Sequence, residues 1–183
     1  RAEVSKLRSS HGGTWKPVIK FDHSAEKLMA EGETAKAMAE FKRMEATQTD
    51  NGMFYSRFAA ALRSAGFRHA AEDYARRAVK LAPEQSDAWA DLGLVLLNGR
   101  LGEQFESGCD LKGAREALQK ALALDSTNFN ARWNLAVTYE YSDDGRRYSS
   151  DADLKSAIRE LRQIAKERPD FETTYRNLTV DLG

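Results

Sequence analysis

The sequence predicts an all-α protein built as a row of similar helical hairpins. The first observation behind this prediction is composition: the chain has 183 residues, only three prolines, and abundant Ala, Leu, Glu, Lys and Arg, which favour helix. The second observation is that small and apolar residues return at fixed spacing along nearly the whole chain. A chain of this length can bury one continuous apolar core shared by such hairpins.

Three series of positions recur with the same spacing of 34, 43 and 43 residues. They are Ala37, Ala71, Ala114 and Ala157; Met44, Ala78, Ala121 and Ile164; and Thr49, Pro83, Ser126 and Pro169. The third series falls at the ends of predicted helices, where a proline or a small capping residue stops the helix. Because three independent series agree, the chain is predicted to be an internal repeat.

The first helix of each predicted unit carries a large apolar residue followed directly by a small one. These pairs are Phe58 with Ala59, Leu92 with Gly93, Leu135 with Ala136, and Leu178 with Thr179. In three units an aromatic residue stands three residues earlier, about one helical turn, at Tyr55, Trp89 and Tyr175. We expect Trp89, Phe58, Leu92 and Leu135 to be core residues. In the fourth unit Arg132 takes the aromatic place, and the neighbouring Trp133 should face another side.

This pattern resembles the tetratricopeptide repeat (TPR) family, most closely in the stretches Asp87–Gly93 (DAWADLG) and Ala78–Pro83 (AVKLAP). The resemblance covers Val18 to the C-terminus. It implies a right-handed superhelix of helical hairpins whose first helices line a concave face. The predicted organisation is an irregular lead-in (1–17), four units (18–51, 52–85, 86–128 and 129–171) and a cap helix (172–183). The first unit is degenerate, since Ser24 replaces the apolar residue of later units.

The third and fourth units each carry nine extra residues, which we call insert one (between Gly93 and Ala114) and insert two (between Ala136 and Ala157). The two inserts resemble each other at offset 43, which indicates a duplication. One interpretation is structural: each insert packs its aromatic residue on the stack and caps the next helix. The other is that two equivalent loops form a paired recognition feature. The residues that carry either role are Phe105, Asp110, Tyr148 and Asp153.

Charge and motifs favour no catalytic or nucleic-acid function. Lys plus Arg equals Asp plus Glu at 28 each, so no net field favours nucleic acid or an anionic membrane. The longest apolar stretch, Ala88–Leu97, contains Asp91 and is too short to span a bilayer. His11, His23 and His69 lack metal-site spacing, and Gly12 with Gly13 lacks a phosphate-loop context. We therefore expect no metal, no cofactor and no enzymatic activity.

The function predicted is a scaffold that binds a peptide or protein surface in the concave groove. Its candidate binding residues lie on first helices and point away from the packing positions. They are Arg57, Arg63, Asp91, Asn98, Trp133, Asn134, Tyr141, Arg176 and Asn177. The family resemblance implies that Asn134 and Asn177 hydrogen-bond an extended peptide. Arg57 and Asp91 replace that asparagine in two units, so a clamp for a partner's C-terminal carboxylate is incomplete. The alternative for these residues is a solvated polar face.

Two other hypotheses stay open at the level of sequence. The inserted repeats, with Asp144-Gly145-Arg146-Arg147-Tyr148, are similar to helical-repeat regions attached to some bacterial transglutaminase-like proteins. That resemblance implies a non-catalytic appendage that positions substrate or docks subunits for an enzyme. Self-association through a terminal repeat face is the third hypothesis. The single Cys109 fits a reducing or an oxidising compartment, so localisation is not predicted. The chain begins with Arg1 rather than Met, which suggests a processed or excised piece.

Overall fold

The computed structural model describes residues 23–99 and 103–171. Within these ranges the chain forms eight α-helices and no strand longer than an isolated bridge. The helices are α1 (Ser24–Ala30), α2 (Thr34–Glu45), α3 (Gly52–Ser64), α4 (Arg68–Leu81), α5 (Ser86–Leu96), α6 (Leu111–Leu124), α7 (Phe129–Tyr139) and α8 (Leu154–Glu167). None of these helices is long and apolar enough to cross a membrane.

The helices pack as four hairpins, α1 with α2, α3 with α4, α5 with α6, and α7 with α8. The second helix of one hairpin contacts the first helix of the next, as α4 contacts α5 and α6 contacts α7. The first helices also contact one another in the order α1, α3, α5, α7. They therefore form one continuous row, which we call the first-helix face. The predicted cap helix, 172–183, and the lead-in, 1–17, lie outside the described residues.

The recurring small residues mark places where helices approach closely. Ala37, Ala71, Ala114 and Ala157 are all fully buried. Gly93 of α5 faces α6, and a Cβ built on it would lie 2.7 Å from Cγ of Leu118. A larger side chain at Gly93 would push the two helices apart, which explains why a small residue follows Leu92.

Local signals set where the helices begin and turn. The Asn51 side chain accepts hydrogen bonds from the backbone N–H groups of Met53 (3.1 Å) and Phe54 (3.3 Å), and so caps α3. Asn128 caps α7 in the same way, through the N–H of Ala131 at 3.0 Å. Gly66 lies in the turn between α3 and α4 and has φ 81°, a conformation that favours glycine. Each hairpin is thus framed by residues whose chemistry suits the end of a helix.

Equivalent positions in different hairpins are filled with different chemistry. In the second hairpin the rings of Tyr55 and Tyr74 stack with centroids 6.0 Å apart. In the fourth hairpin the same two positions hold Arg132 and Glu160, whose Nη1 and Oε2 atoms are 2.8 Å apart. The predicted Arg132 substitution is therefore matched by a carboxylate on the partner helix, so the fold keeps a paired contact there.

The core predictions are confirmed for Phe58, Leu92 and Leu135, which are buried. Trp89 differs, because it is only half-buried: its indole Nε1–H donates to the Pro83 carbonyl at 2.8 Å. A partly buried indole N–H needs a hydrogen-bond acceptor, and the turn that follows α4 supplies this acceptor. Trp133 contacts the edge of Phe171, with centroids 5.3 Å apart and rings at 87°.

Candidate peptide-binding groove and the paired inserts

A cleft of about 400 Å³ opens on the first-helix face and spans α3, α5 and α7. Its lining residues are Met53, Ser56, Arg57, Asp87, Ala90, Asp91, Leu94 and Asn130. They combine two carboxylates, a guanidinium, a hydroxyl and an amide with apolar side chains, a composition that suits a site for an extended chain or a small ligand. We call this the central cleft.

Asp91 is the part-buried acid of the central cleft. The Ser56 hydroxyl of α3 donates a hydrogen bond to Asp91 Oδ2 of α5, which links two neighbouring hairpins. Burial raises the pKa of Asp91 to about 6, and the nearby Asp87 charge acts in the same direction. The Ser56 hydrogen bond and the Arg63 charge oppose this shift without cancelling it. The carboxyl therefore titrates well above the usual range of an aspartate.

Arg57 lies between the central cleft and a second cleft of about 520 Å³ bounded by α1 and α3. Its Nε donates to Glu26 Oε1 at 3.2 Å, and its Nη2 is 3.0 Å from His23 Nδ1. The Arg57 charge is thus partly balanced by a carboxylate of the first hairpin. The two carboxylates that line the central cleft, Asp87 and Asp91, both belong to α5.

Some predicted binding residues lie elsewhere on the molecule. Asn98 and Tyr141 were expected on first helices, but α5 ends at Leu96 and α7 at Tyr139. Both residues therefore belong to the inserts, and Asn98 is 3% exposed. Helical counting placed them wrongly because it continued the helix past its true end. Arg176 and Asn177 lie outside the described residues.

Asn134 and Trp133 are on α7, as predicted from the repeat. The Asn134 amide donates to the Asn130 carbonyl of its own helix at 2.7 Å, and the residue is half-buried. Trp133 is directed to Phe171 at the far end of the array. Asn130, which lines the central cleft one turn before Asn134, is exposed.

Sequence reasoning missed six lining residues, namely Met53, Ser56, Asp87, Ala90, Leu94 and Asn130. Periodicity could have found most of them. Positions 53, 56 and 57 share one helical face at spacings of three and four, as do 87, 90, 91 and 94. The face that carries the predicted Arg57 and Asp91 therefore carries these residues as well.

The two inserts share backbone features at their equivalent aromatic residues. In insert one the N–H of Phe105 donates to the Leu97 carbonyl at 2.9 Å. In insert two the N–H of Tyr148 donates to the Glu140 carbonyl at 2.7 Å, at the same offset of 43 residues. The aromatic residues both have positive φ, 62° for Phe105 and 55° for Tyr148. The backbone conformation around Phe105 is therefore repeated around Tyr148.

Each insert also caps the helix that follows it. Asp110 accepts the N–H of Gly113 at 2.8 Å at the start of α6. Asp153 accepts the N–H of Ser156 at 3.1 Å at the start of α8. Hydrogen bonds from the side chain and the backbone of Ser156 lower the pKa of Asp153, because they favour its charged form. Both acids thus have a structural task at a helix terminus.

The inserts contact each other along one edge of the array. The Phe105 ring stacks on Tyr141 with centroids 4.3 Å apart and planes at 7°. From α6, Arg115 donates to Asp143 Oδ1 at 2.6 Å and to the Tyr141 carbonyl at 2.6 Å. A cleft of about 330 Å³ remains between the inserts. Cys109 borders it, and burial raises the pKa of this thiol, which disfavours the nucleophilic thiolate.

Comparison with known proteins supports the fold. Neither models of protein families nor curated proteins match the chain. Among solved structures, the crystal structure of MamA matches with TM-score 0.69 and 18% identity, over 89% of this chain and 84% of that one. YrrB, described as a TPR protein with an unusual peptide-binding site, matches with TM-score 0.61 and 17% identity, over 99% of this chain and 82% of that one.

The chain therefore has the TPR-type fold, an all-α superhelix of stacked helical hairpins. Within the described residues, no group of three or more His, Cys, Asp or Glu side chains is placed to hold a metal ion.

Proposed function

We propose that this chain is a non-catalytic interaction scaffold that binds an extended peptide segment of a partner protein in the central cleft. The observation that carries the proposal is the cleft itself, because it crosses three successive first helices. A peptide lying across those helices contacts polar groups on each of them and apolar side chains between them.

Two features support this use of the first-helix face. The exposed Asn130 presents an amide that can donate to and accept from a peptide backbone. Met53 and Leu94 supply apolar surface beside the two carboxylates. The likeness to YrrB, itself a protein with a peptide-binding site, is in keeping with a peptide ligand.

The test is selection from a displayed library of random linear peptides on the immobilised chain. Asn130→Trp fills the central cleft from an exposed position, so it should abolish capture of the selected peptides. Asp73→Trp is the matched control, because Asp73 is exposed on α4, outside the lining of the cleft. Peptides that bind Asn130→Trp as tightly as the unchanged chain would contradict the proposal.

The paired inserts are a second candidate surface, because their duplicated backbone sets two aromatic residues on one edge. Replacing both Phe105 and Tyr148 with Ala separates the two interpretations. Loss of partner binding at a temperature where the double variant is still folded supports recognition by the inserts. A lower melting temperature with intact binding leaves them a structural role.

The role of repeat appendage to a larger enzyme uses the same central cleft. It differs from the scaffold in one outcome: Asn130→Trp would then lower turnover of the full-length enzyme on its protein substrate. Self-association through a terminal repeat face remains a separate proposal. Light scattering that gives a monomer mass at high concentration would remove it.

A further inference from the structure

We propose that the central cleft selects peptides with a basic side chain, lysine or arginine, whose cation pairs with the Asp91 carboxylate. This inference rests on the proposed function and specifies the ligand of that cleft. The specificity-determining residue would be Asp91, with Asp87 one helical turn earlier on α5 adding negative potential.

The arrangement around Asp91 leaves room for a cation. The Ser56 hydroxyl takes up Oδ2 and orients the carboxylate. In the part of the chain that the structure describes, no lysine or arginine forms an ion pair with Asp91. Asp87 accepts one hydrogen bond, from the Asn128 amide at 3.1 Å, which leaves its charge in place.

Arg57 of α3 lines the cleft, whereas Arg63 of α3 acts on Asp91 without lining it. Arg57 is in contact with Glu26 of α1 at 3.2 Å. The Arg63 charge acts on Asp91 more weakly than burial, Ser56 or Asp87. From α7 the cleft receives the uncharged amide of Asn130. Asp87 and Asp91 outnumber Arg57 in the cleft lining, and this excess of negative charge favours a positive group from outside.

The apolar walls suit the rest of a basic side chain. Met53 of α3 and Leu94 of α5 are both partly buried in the cleft lining. The methylene stem of lysine or arginine can lie along such apolar surface while its charged end reaches a carboxylate. The same walls without the carboxylates would favour an aliphatic ligand instead.

Burial of the ionised Asp91 carboxylate lowers the free energy of unfolding at neutral pH. Because the pKa of Asp91 rises from 3.8 to about 6 in the folded chain, stability falls as pH rises through that window. Asp91→Asn should therefore raise the melting temperature at pH 7 and leave it nearly unchanged at pH 4. A residue that weakens the fold is expected where binding uses it.

The deciding experiment compares displayed-peptide selection on the unchanged chain, Asp91→Asn and Asp73→Asn. Asn retains an oxygen that accepts the Ser56 hydrogen bond, so Asp91→Asn should stay folded. Asp73→Asn removes the same charge from the exposed face of α4. We expect lysine or arginine to be enriched at one peptide position on the unchanged chain and on Asp73→Asn, and the enrichment to vanish on Asp91→Asn.

A titration then assigns the contact. Replacing the enriched lysine or arginine with norleucine, which keeps an aliphatic stem, should weaken binding by about tenfold or more. The same replacement should cost little on Asp91→Asn. With a pKa near 6 in the free chain, binding of the basic peptide should weaken by about tenfold from pH 7 to pH 5. The norleucine peptide should show no such pH dependence.

The outcomes separate this inference from the proposed function. Peptides that are lost on Asn130→Trp but show no basic enrichment would overturn the charge selectivity and keep the groove. Enrichment that persists on Asp91→Asn would also overturn the assignment to Asp91. A library from which the chain selects nothing, or only peptides insensitive to Asn130→Trp, would overturn both.

Discussion

Insert one and insert two share a backbone conformation around Phe105 and Tyr148 but enclose different side chains. Leu97 and Glu140 stand at equivalent positions, and both are fully buried. Leu97 packs in the apolar core, whereas Glu140 accepts a 2.8 Å hydrogen bond from Arg147 Nε and a 3.1 Å one from the Tyr148 hydroxyl. In insert one, Gln104 occupies the position of Arg147.

The outer aromatic residues differ as well. Phe105 of insert one is covered by the Tyr141 ring of insert two, whereas Tyr148 is 37% exposed. Since the backbone hydrogen bond and the positive φ of Phe105 recur at Tyr148, this turn does not depend on one kind of buried side chain. The two inserts therefore stabilise a similar turn by different means. Apolar packing stabilises the turn in insert one, and charge pairing stabilises it in insert two.

The largest expected effect comes from breaking the charge pair of insert two. Arg147→Ala should destabilise that insert by about 2–3 kcal/mol, because it leaves the buried Glu140 without its cationic partner. Hydrogen exchange of the Tyr148 amide should accelerate, while that of the Phe105 amide changes little. Arg146→Ala is the control, since Arg146 and its partner Asp144 are both exposed. Equal acceleration at both amides would contradict a local role.

The next effect comes from the contact that joins the inserts. Phe105→Ala should lower stability by about 2 kcal/mol, because it removes a half-buried ring and its stacking on Tyr141. Tyr141→Ala should act in the same direction. Because the rings are partners, the double variant should lose less than the sum of the single losses in denaturant unfolding. Additive losses would show that the stack contributes nothing beyond burial.

The fold could be predicted from the sequence because close helix contacts leave a mark at fixed spacing. The alanines at 37, 71, 114 and 157 are small because a partner helix lies against each of them. The same logic explains Gly93. Each of these close contacts joins helices of the same hairpin or of neighbouring hairpins. The requirement for a small residue therefore recurs at the repeat spacing and can be recognised in a single sequence.

The candidate site was predictable only in part. Asp91 could be placed on the first-helix face by periodicity, but its hydrogen bond to Ser56 joins residues 35 positions apart on different hairpins. The inserts lack such periodicity. Phe105 and Tyr148 adopt positive φ, for which Gly or Asn would be the usual signal, so their turn could not be anticipated.

A smaller effect is expected from the positive φ that Phe105 and Tyr148 share. At φ 55°, Tyr148→Gly should be more stable than Tyr148→Ala by about 1 kcal/mol, because Gly adopts this conformation without a Cβ penalty. The same difference is expected between Phe105→Gly and Phe105→Ala, at φ 62°. Denaturant unfolding of the four variants measures it. Unequal differences would mean that the two backbones are strained differently.

The smallest effect is expected from converting insert two into insert one. Glu140→Leu combined with Arg147→Gln places the residues of insert one at the matching positions. Stability should change by no more than about 1 kcal/mol, because a buried ion pair can be replaced by apolar packing without net loss. Glu140→Leu alone should cost more, since the Arg147 guanidinium is kept and loses the acceptor of its hydrogen bond. If the double variant is as unstable as Arg147→Ala, the charge pair is required by the backbone of insert two, and the inserts are equivalent in shape alone.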